Sequence, residues 1–70
     1  MNIQEQLGAR IRELRLKRGW SQEVLADRSG LHRSHMGEIE RGKANMTLAT
    51  LVIIASTLQT TPAALLKDLA

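Results

Sequence analysis

The stretch from Ser21 to Gly42, SQEVLADRSGLHRSHMGEIERG, places the tightest constraint on the fold. Gly30 divides it into two short helical segments, because glycine readily adopts the left-handed conformation that a sharp turn between helices needs. Ala26 lies one turn before that glycine, and its small side chain allows a second helix to cross nearby. The second segment carries His, Arg, Ser, His and Glu where a small protein is expected to bury apolar surface. The pattern predicts two packed helices, the second with a polar face.

The composition favours helices throughout the chain. Seventy residues suffice for one domain over 1–70, and they include a single aromatic residue, Trp20. Leu, Ile, Val, Met and Ala must build the core, and these suit packed helices better than sheets. The chain has no cysteine, which excludes disulfides and thiolate metal sites and fits a reducing compartment. The run LVIIA is far shorter than the ~20 residues of a membrane span, and the first residues do not resemble a signal peptide. We therefore expect an all-α cytoplasmic protein.

Capping residues and apolar spacing predict five helices. Ser21, Thr47 and Thr61 are the expected N-caps of the second, fourth and fifth helices, because a side-chain oxygen there accepts from a free backbone N–H. Pro62 then occupies the favoured first-turn position. The third helix is expected from about His32 to Arg41. The predicted inward-facing residues are Ile3, Leu7, Ile11 and Leu14 on the first helix, Leu25, Leu31, Met36 and Ile39 between the second and third, and Leu48, Leu51, Ile54, Ala55 and Leu58 on the fourth.

The whole chain resembles the helix-turn-helix domains of the Cro and lambda-repressor type, the XRE family, and the run from Arg10 to Leu58 matches their characteristic run nearly end to end. The resemblance is carried by Ser21-Gln22, Leu25-Ala26, Gly30, Ile39-Glu40-Arg41-Gly42 and the helix with Leu51, Ala55 and Leu58 in register. It implies an all-α, compact five-helix lambda-repressor-like domain with its helix-turn-helix at about 21–41. It also implies that the second helix of the pair lies in the major groove of DNA with its first residues at the base edges. Such a role would explain the polar face.

The resemblance implies DNA contacts for two groups of residues. Base contacts are implied for Arg33, Ser34 and Glu38. An arginine donates two hydrogen bonds to guanine and a glutamate accepts from cytosine N4, although both side chains also suit an ordinary exposed surface. Phosphate contacts are implied for residues with suitable donors, and the alternative for each is a solvated surface position. These residues are Gln22, His35, Arg41, Lys43 and Asn45.

Four further positions bear on the helix pair. The resemblance implies a structural ion pair between Arg15 on the first helix and Glu40 near the end of the third, so Glu40 is not expected to contact DNA. Two positions depart from the family pattern. Gly37 lies inside the polar helix, where either something approaches the helix closely or the helix is loose. His32 stands where a Ser, Thr or Asp cap is usual, and its imidazole is a poorer acceptor.

The C-terminal helices predict a dimer interface. At about 100° per residue, Ile53 points away from the apolar face of the fourth helix. The leucines of the fifth helix span too wide an arc to face one small core. We therefore expect a two-fold interface, the alternative being scattered exposed apolar residues. The expected interface residues are Ile53, Leu65, Leu66 and Leu69.

The predicted function is sequence-specific transcriptional regulation by a homodimer that binds a palindromic operator in double-stranded DNA. The net charge of +3 agrees with a polyanionic partner without deciding the matter. The segment RSHMGEIERGKANMTL is similar to controller proteins of restriction-modification systems. Phage Cro-like repressors and antitoxins are alternatives, as is an interaction module of this fold whose main ligand is a protein.

Metal and catalytic sites are the rival interpretations of the polar helix. His32, His35 and Glu38 lie on the same helix and include ligand types that zinc accepts, but no fourth ligand is evident. The chain has no cysteine nucleophile and no recognisable Ser/His/Asp constellation. We therefore expect neither a metal, nor a cofactor, nor an enzymatic activity.

Overall fold

The structure, a computed structural model, describes residues 2–69, and within that range it contains five α-helices and no strand. Met1 and Ala70 lie outside the described residues. The all-α, five-helix prediction is confirmed. The helices are α1 (Ile3–Lys17), α2 (Gln22–Ser29), α3 (Arg33–Glu40), α4 (Leu48–Thr57) and α5 (Pro62–Leu66).

Side-chain hydrogen bonds fix where the helices begin. The predicted caps are Ser21, Thr47 and Thr61. Each hydroxyl accepts a hydrogen bond at 3.1 Å from the backbone N–H three residues later. α1 has a cap that the sequence analysis missed, because the side chains of Asn2 and Glu5 each accept from the other's backbone N–H. His32 makes no such bond at the start of α3, as expected for an imidazole.

The turn between α2 and α3 follows the predicted chemistry. Gly30 adopts a left-handed conformation with φ of 70°, and its N–H donates to the carbonyls of Ala26 and Asp27. The Leu31 N–H also donates to the Ala26 carbonyl, at 2.9 Å. These bonds use the free carbonyls at the end of α2, so the chain reverses sharply and α3 begins within three residues of the glycine.

The core is apolar and receives side chains from all five helices. α3 packs on α1 and α2, while α5 packs on α1 and α4. The Arg10 guanidinium of α1 donates to the carbonyl oxygens of Ala64 and Leu65, which ties α5 to α1. The buried core residues are Ile11, Leu25, Ala26, Met36, Ile39, Leu51, Ile54, Ala55, Leu58 and Leu65.

Two predicted core residues are exposed. Leu48 is 80% exposed and Ile3 is 48% exposed, so their assignment to inward faces is wrong. Each is the first residue of its helix, α4 and α1 respectively. Apolar spacing gives the direction in which a side chain points, but it does not show how far the neighbouring helices extend. Both side chains line a surface groove next to the core residues Ile39 and Leu51 and stay open to solvent.

α1 and the end of α3 approach each other at backbone distance. A Cβ on Gly8 would lie against the carbonyl oxygens of Ile39 and Glu40, the second at 2.6 Å. Gly42 meets α1 from the other side, since a Cβ there would lie 2.6 Å from Glu5 Cα. Backbone atoms cannot move aside as a flexible side chain can. The crossing of α1 and α3 therefore requires glycine at both positions.

Gly8→Ala is expected to lower the free energy of unfolding by about 1–3 kcal/mol, because the new methyl group must displace the α3 backbone. Gly37→Ala is the matched control inside a helix. A Cβ there would meet side-chain atoms of Arg41 and Gln22 at 3.1 and 3.2 Å, and these can move. Urea titrations followed by circular dichroism compare the two variants. A Gly8→Ala midpoint equal to that of the wild type would contradict the close crossing.

Candidate nucleic-acid interface

α3 presents a polar stripe on its solvent side. Ser34, Glu38 and Arg41 are exposed and follow one another at spacings of four and three, so they lie along one side of the helix and its C-cap. Met36 and Ile39 point the other way and are buried. An α-helix with its side chains is about 10–12 Å across, and the major groove of B-DNA is about 12 Å wide. α3 is therefore narrow enough to enter a groove of that width.

The three predicted base-contacting residues all lie on the exposed surface of α3. Arg33 and Ser34 form its first turn, and Glu38 lies one turn beyond Ser34. The Nη1 group of Arg33 forms an ion pair with Oε1 of Glu23 on α2, a partner that the sequence analysis missed. The contacts of these residues with bases remain predictions.

Gln22 and Arg41, two predicted phosphate contacts, lie side by side over Gly37. A Cβ on Gly37 would be 3.2 Å from Gln22 Oε1 and 3.1 Å from Arg41 Nη1. The side chains of Gln22 and Arg41 therefore approach α3 closely at Gly37, which explains why a glycine is buried inside this helix. Gln22 Nε2 also donates to Glu40 Oε1 at 3.1 Å, and an amide nitrogen has a second hydrogen left for another acceptor.

The other predicted phosphate contacts lie on or beside the loop after α3. Lys43 and Asn45 are exposed on that loop. Gln4 Nε2 of α1 donates to Asn45 Oδ1 at 2.9 Å, so the amide NH₂ of Asn45 takes no part in this bond. The Lys43 N–H donates to the Glu38 carbonyl at 2.8 Å and closes the turn that follows α3. His35 is only half-exposed, which makes it the least accessible of the group. The phosphate contacts remain predictions.

Arg15 and Glu40 form a two-point ion pair inside the protein. Arg15 Nε and Nη2 donate to Glu40 Oε2 and Oε1 at 2.8 and 2.9 Å, and the two side chains are 9% and 2% exposed. The third Arg15 nitrogen, Nη1, donates to the Trp20 carbonyl at 2.9 Å. Gln22 provides the third hydrogen bond to Glu40, a link that the sequence did not indicate. The Glu40 carboxylate therefore holds α1, α2 and α3 together and does not face the polar stripe.

The predicted dimer residues have different environments. Ile53 is exposed as predicted, and so are Leu66 and the unpredicted Val52. Leu65 is fully buried among the core residues, so its assignment to an interface is wrong. Its place on the inner side of α5 closes the core against α1 and α4. Leu69 is half-buried and lies after the end of α5. The expectation that it belongs to the fifth helix is therefore wrong.

A metal site and a membrane-spanning helix are both absent from the residues that the structure describes. Among residues 2–69, no group of three or more His, Asp or Glu side chains is arranged to hold a metal ion. His32, His35 and Glu38 are accordingly not gathered into such a group. None of the helices within the same residues combines the length and the apolar character needed to cross a membrane.

Comparison with known proteins identifies the helix pair. The family described as "Helix-turn-helix domain" matches residues 6–69. This chain belongs to the helix-turn-helix family. Its resemblance to the Cro and lambda-repressor type is confirmed, and with it the five-helix fold. The family is one of DNA-binding transcription regulators and is not a family of enzymes.

Controller proteins are prominent among the relatives of this helix-turn-helix protein. Control protein C.SmaI of Serratia marcescens is 47% identical over 60 residues, which cover 86% of this chain and 71% of the relative. Control protein C.BamHI of Bacillus amyloliquefaciens is 39% identical over 69 residues, 97% of this chain and 80% of the relative. The crystal structure of the restriction-modification controller protein C.AhdI from Aeromonas hydrophila superimposes with a TM-score of 0.85 and 44% identity, covering 87% of this chain and 92% of that one.

Glu40→Gln is expected to lower the free energy of unfolding of this helix-turn-helix protein by about 3 kcal/mol while leaving base preference unchanged. The substitution leaves the buried Arg15 guanidinium without an anionic partner. Glu13→Gln is the control, because the Glu13–Lys17 pair is long, at 3.9 Å, and exposed. Thermal unfolding is measured beside titrations with DNA. An unchanged unfolding midpoint together with lost base preference would show that Glu40 acts at the DNA.

Proposed function

We propose that the protein is a sequence-specific transcriptional regulator that binds a palindromic operator as a homodimer and controls a restriction-modification system. The observation that carries this proposal is the exposed polar side of α3, where Arg33, Ser34 and Glu38 lie. A buried ion pair at Glu40 holds this helix against α1. The similarity to C.SmaI and C.BamHI over most of their length supports the controller assignment. Double-stranded DNA is the main partner, and the absence of cysteine suits a cytoplasmic protein.

Base recognition in this proposal begins at the first turn of α3. Arg33 and Ser34 are exposed there, and an arginine side chain can donate two parallel hydrogen bonds to guanine O6 and N7. Glu38 follows one turn later. Phosphate would repel its carboxylate, whereas the N4 amino group of cytosine offers it a donor. These three residues read sequence, and Arg33 contributes most because a bidentate contact discriminates best.

The phosphate contacts position α3 without reading sequence. Gln22 and Arg41 lie together over Gly37 on one side of the helix. Lys43 and Asn45 follow on the loop after α3, and His35 lies at the edge of the stripe. Donors at the start of α2, at the end of α3 and on the following loop can contact the phosphates that border a major groove. Their contribution to affinity falls as salt concentration rises, because binding releases counterions from the DNA.

The dimer forms through the exposed apolar surface of α4 and α5. Val52 and Ile53 are adjacent and exposed on α4, and Leu66 is exposed on α5. Leu69 extends the same end of the chain. Covering these side chains removes apolar area from water, which stabilises association. A two-fold axis through this surface presents the two copies of α3 to half-sites about one helical turn apart.

Arg33→Ala and Lys43→Ala are expected to affect DNA binding in different ways. Loss of the bidentate contact costs about 1–3 kcal/mol on the operator and flattens the preference at one base pair in each half-site. Loss of the phosphate contact weakens binding to all sequences equally and reduces the salt dependence. Titrations use the operator, single-base variants and random DNA at several salt concentrations. If Arg33→Ala keeps every base preference, Arg33 anchors the backbone and the base-reading role is wrong.

Ile53→Asp is expected to give a folded monomer whose affinity for the operator is lower by about 100-fold or more, because the second half-site no longer binds within the same complex. Sedimentation velocity measures the oligomeric state. Leu16→Asp is the control for that state alone, since Leu16 is an exposed leucine on α1 that lines a groove with Arg41 and Lys43 and with no residue of α4 or α5. A sedimentation profile of Ile53→Asp identical to that of the wild type would exclude Ile53 from the interface.

A further inference from the structure

The ion pair between Glu23 and Arg33 joins the first turns of the two helices of the helix-turn-helix. Glu23 is the second residue of α2 and Arg33 is the first residue of α3. Both side chains are accessible, with 57% and 67% of their surfaces exposed. An exposed pair contributes little to stability. The pair lies beside the turn that is proposed to read bases, so its effect is expected on recognition more than on stability.

The start of α3 lacks the negative charge that helix starts usually have. His32 provides no side-chain cap, and the first turn contains no acidic residue. Instead, Arg33 places a positive charge at the positive end of the helix dipole, which repels it. The Glu23 carboxylate, reaching across from α2, places a negative charge beside Arg33. Attraction to this carboxylate opposes the repulsion between Arg33 and the helix dipole.

The pair leaves the guanine-binding edge of Arg33 available. The contact with Glu23 is made by Nη1, and a guanidinium carries five N–H groups in a planar fork, so one carboxylate does not use them all. The edge formed by Nε and Nη2 presents two parallel N–H groups, which is the arrangement that guanine O6 and N7 accept. Glu23 and a guanine can therefore bind the same guanidinium at the same time.

We propose that Glu23 is a positioning residue for base recognition, which orients the Arg33 guanidinium through Nη1 so that its Nε and Nη2 edge meets a guanine. This inference rests on the proposed function, in which Arg33 reads a base. The same carboxylate repels DNA phosphates and lowers the affinity for every sequence. Glu23 thus increases specificity while it reduces non-specific binding, since specificity is a difference between affinities.

Glu23→Ala separates the two effects. We expect equal or tighter binding to random DNA, together with a loss of at least about fivefold in discrimination at the base pair read by Arg33, where a bidentate contact discriminates by about 5- to 150-fold. Glu23→Gln retains a carbonyl acceptor and should be intermediate, and it provides a second variant if the alanine variant is poorly folded. Asp27→Ala, which removes an exposed carboxylate one turn along α2, should change operator and random-DNA affinity by the same factor.

Arg33→Ala, alone and combined with Glu23→Ala, shows whether Glu23 acts on base preference through Arg33. In the Arg33→Ala background, we expect removal of Glu23 to leave all base preferences unchanged. If Arg33→Ala abolishes one preference but Glu23→Ala keeps the full discrimination there, the positioning role is overturned and base reading by Arg33 stands. If Arg33→Ala leaves every preference intact, both the positioning role and base reading by Arg33 are overturned.

Discussion

The hydrogen bonds to the buried carboxylate of Glu40 are the interaction on which the position of α3, and of the exposed polar surface it presents, depends. The carboxylate accepts hydrogen bonds from Arg15 on α1 and from Gln22 on α2, while it belongs to α3 itself. Desolvating such a pair is costly, so its net contribution to stability is small, but breaking it leaves a charge buried alone. The carboxylate therefore holds α1, α2 and α3 in their packing, and its loss destabilises the fold. Because Gln22 shares the carboxylate, a candidate phosphate contact is oriented by the same group.

Close backbone contact complements this ion pair. Gly8 and Gly42 allow α1 and the end of α3 to approach without intervening side chains, and Gly37 makes room for Gln22 and Arg41 on the next face. A chain of 70 residues has a small core and no disulfide, so it has little apolar area with which to fix helix orientation. Polar links and glycine contacts perform that role here.

The sequence predicted features that depend on local chemistry. The caps at Ser21 and Thr61 and the left-handed Gly30 follow from residues within a few positions of one another, and the structure has all three. The sequence did not predict features set by contacts between helices. Leu65 was assigned to a surface because spacing alone does not show that α5 lies against α1 and α4, and Gly8 gave no local sign of its crossing. The Glu23–Arg33 and Gln22–Glu40 links join separate helices, and no regular spacing in the sequence marks them.

In the proposed complex, a dimer inserts two copies of α3 into successive major grooves on one face of DNA. Hydroxyl-radical footprinting on the promoter region upstream of the protein's own gene measures how many stretches of DNA the dimer covers and how far apart they lie. We expect two protected patches related by a two-fold axis, with centres about 34 Å apart, that persist in excess random DNA. A single patch, or protection that disappears when random DNA is added, would contradict the proposed complex.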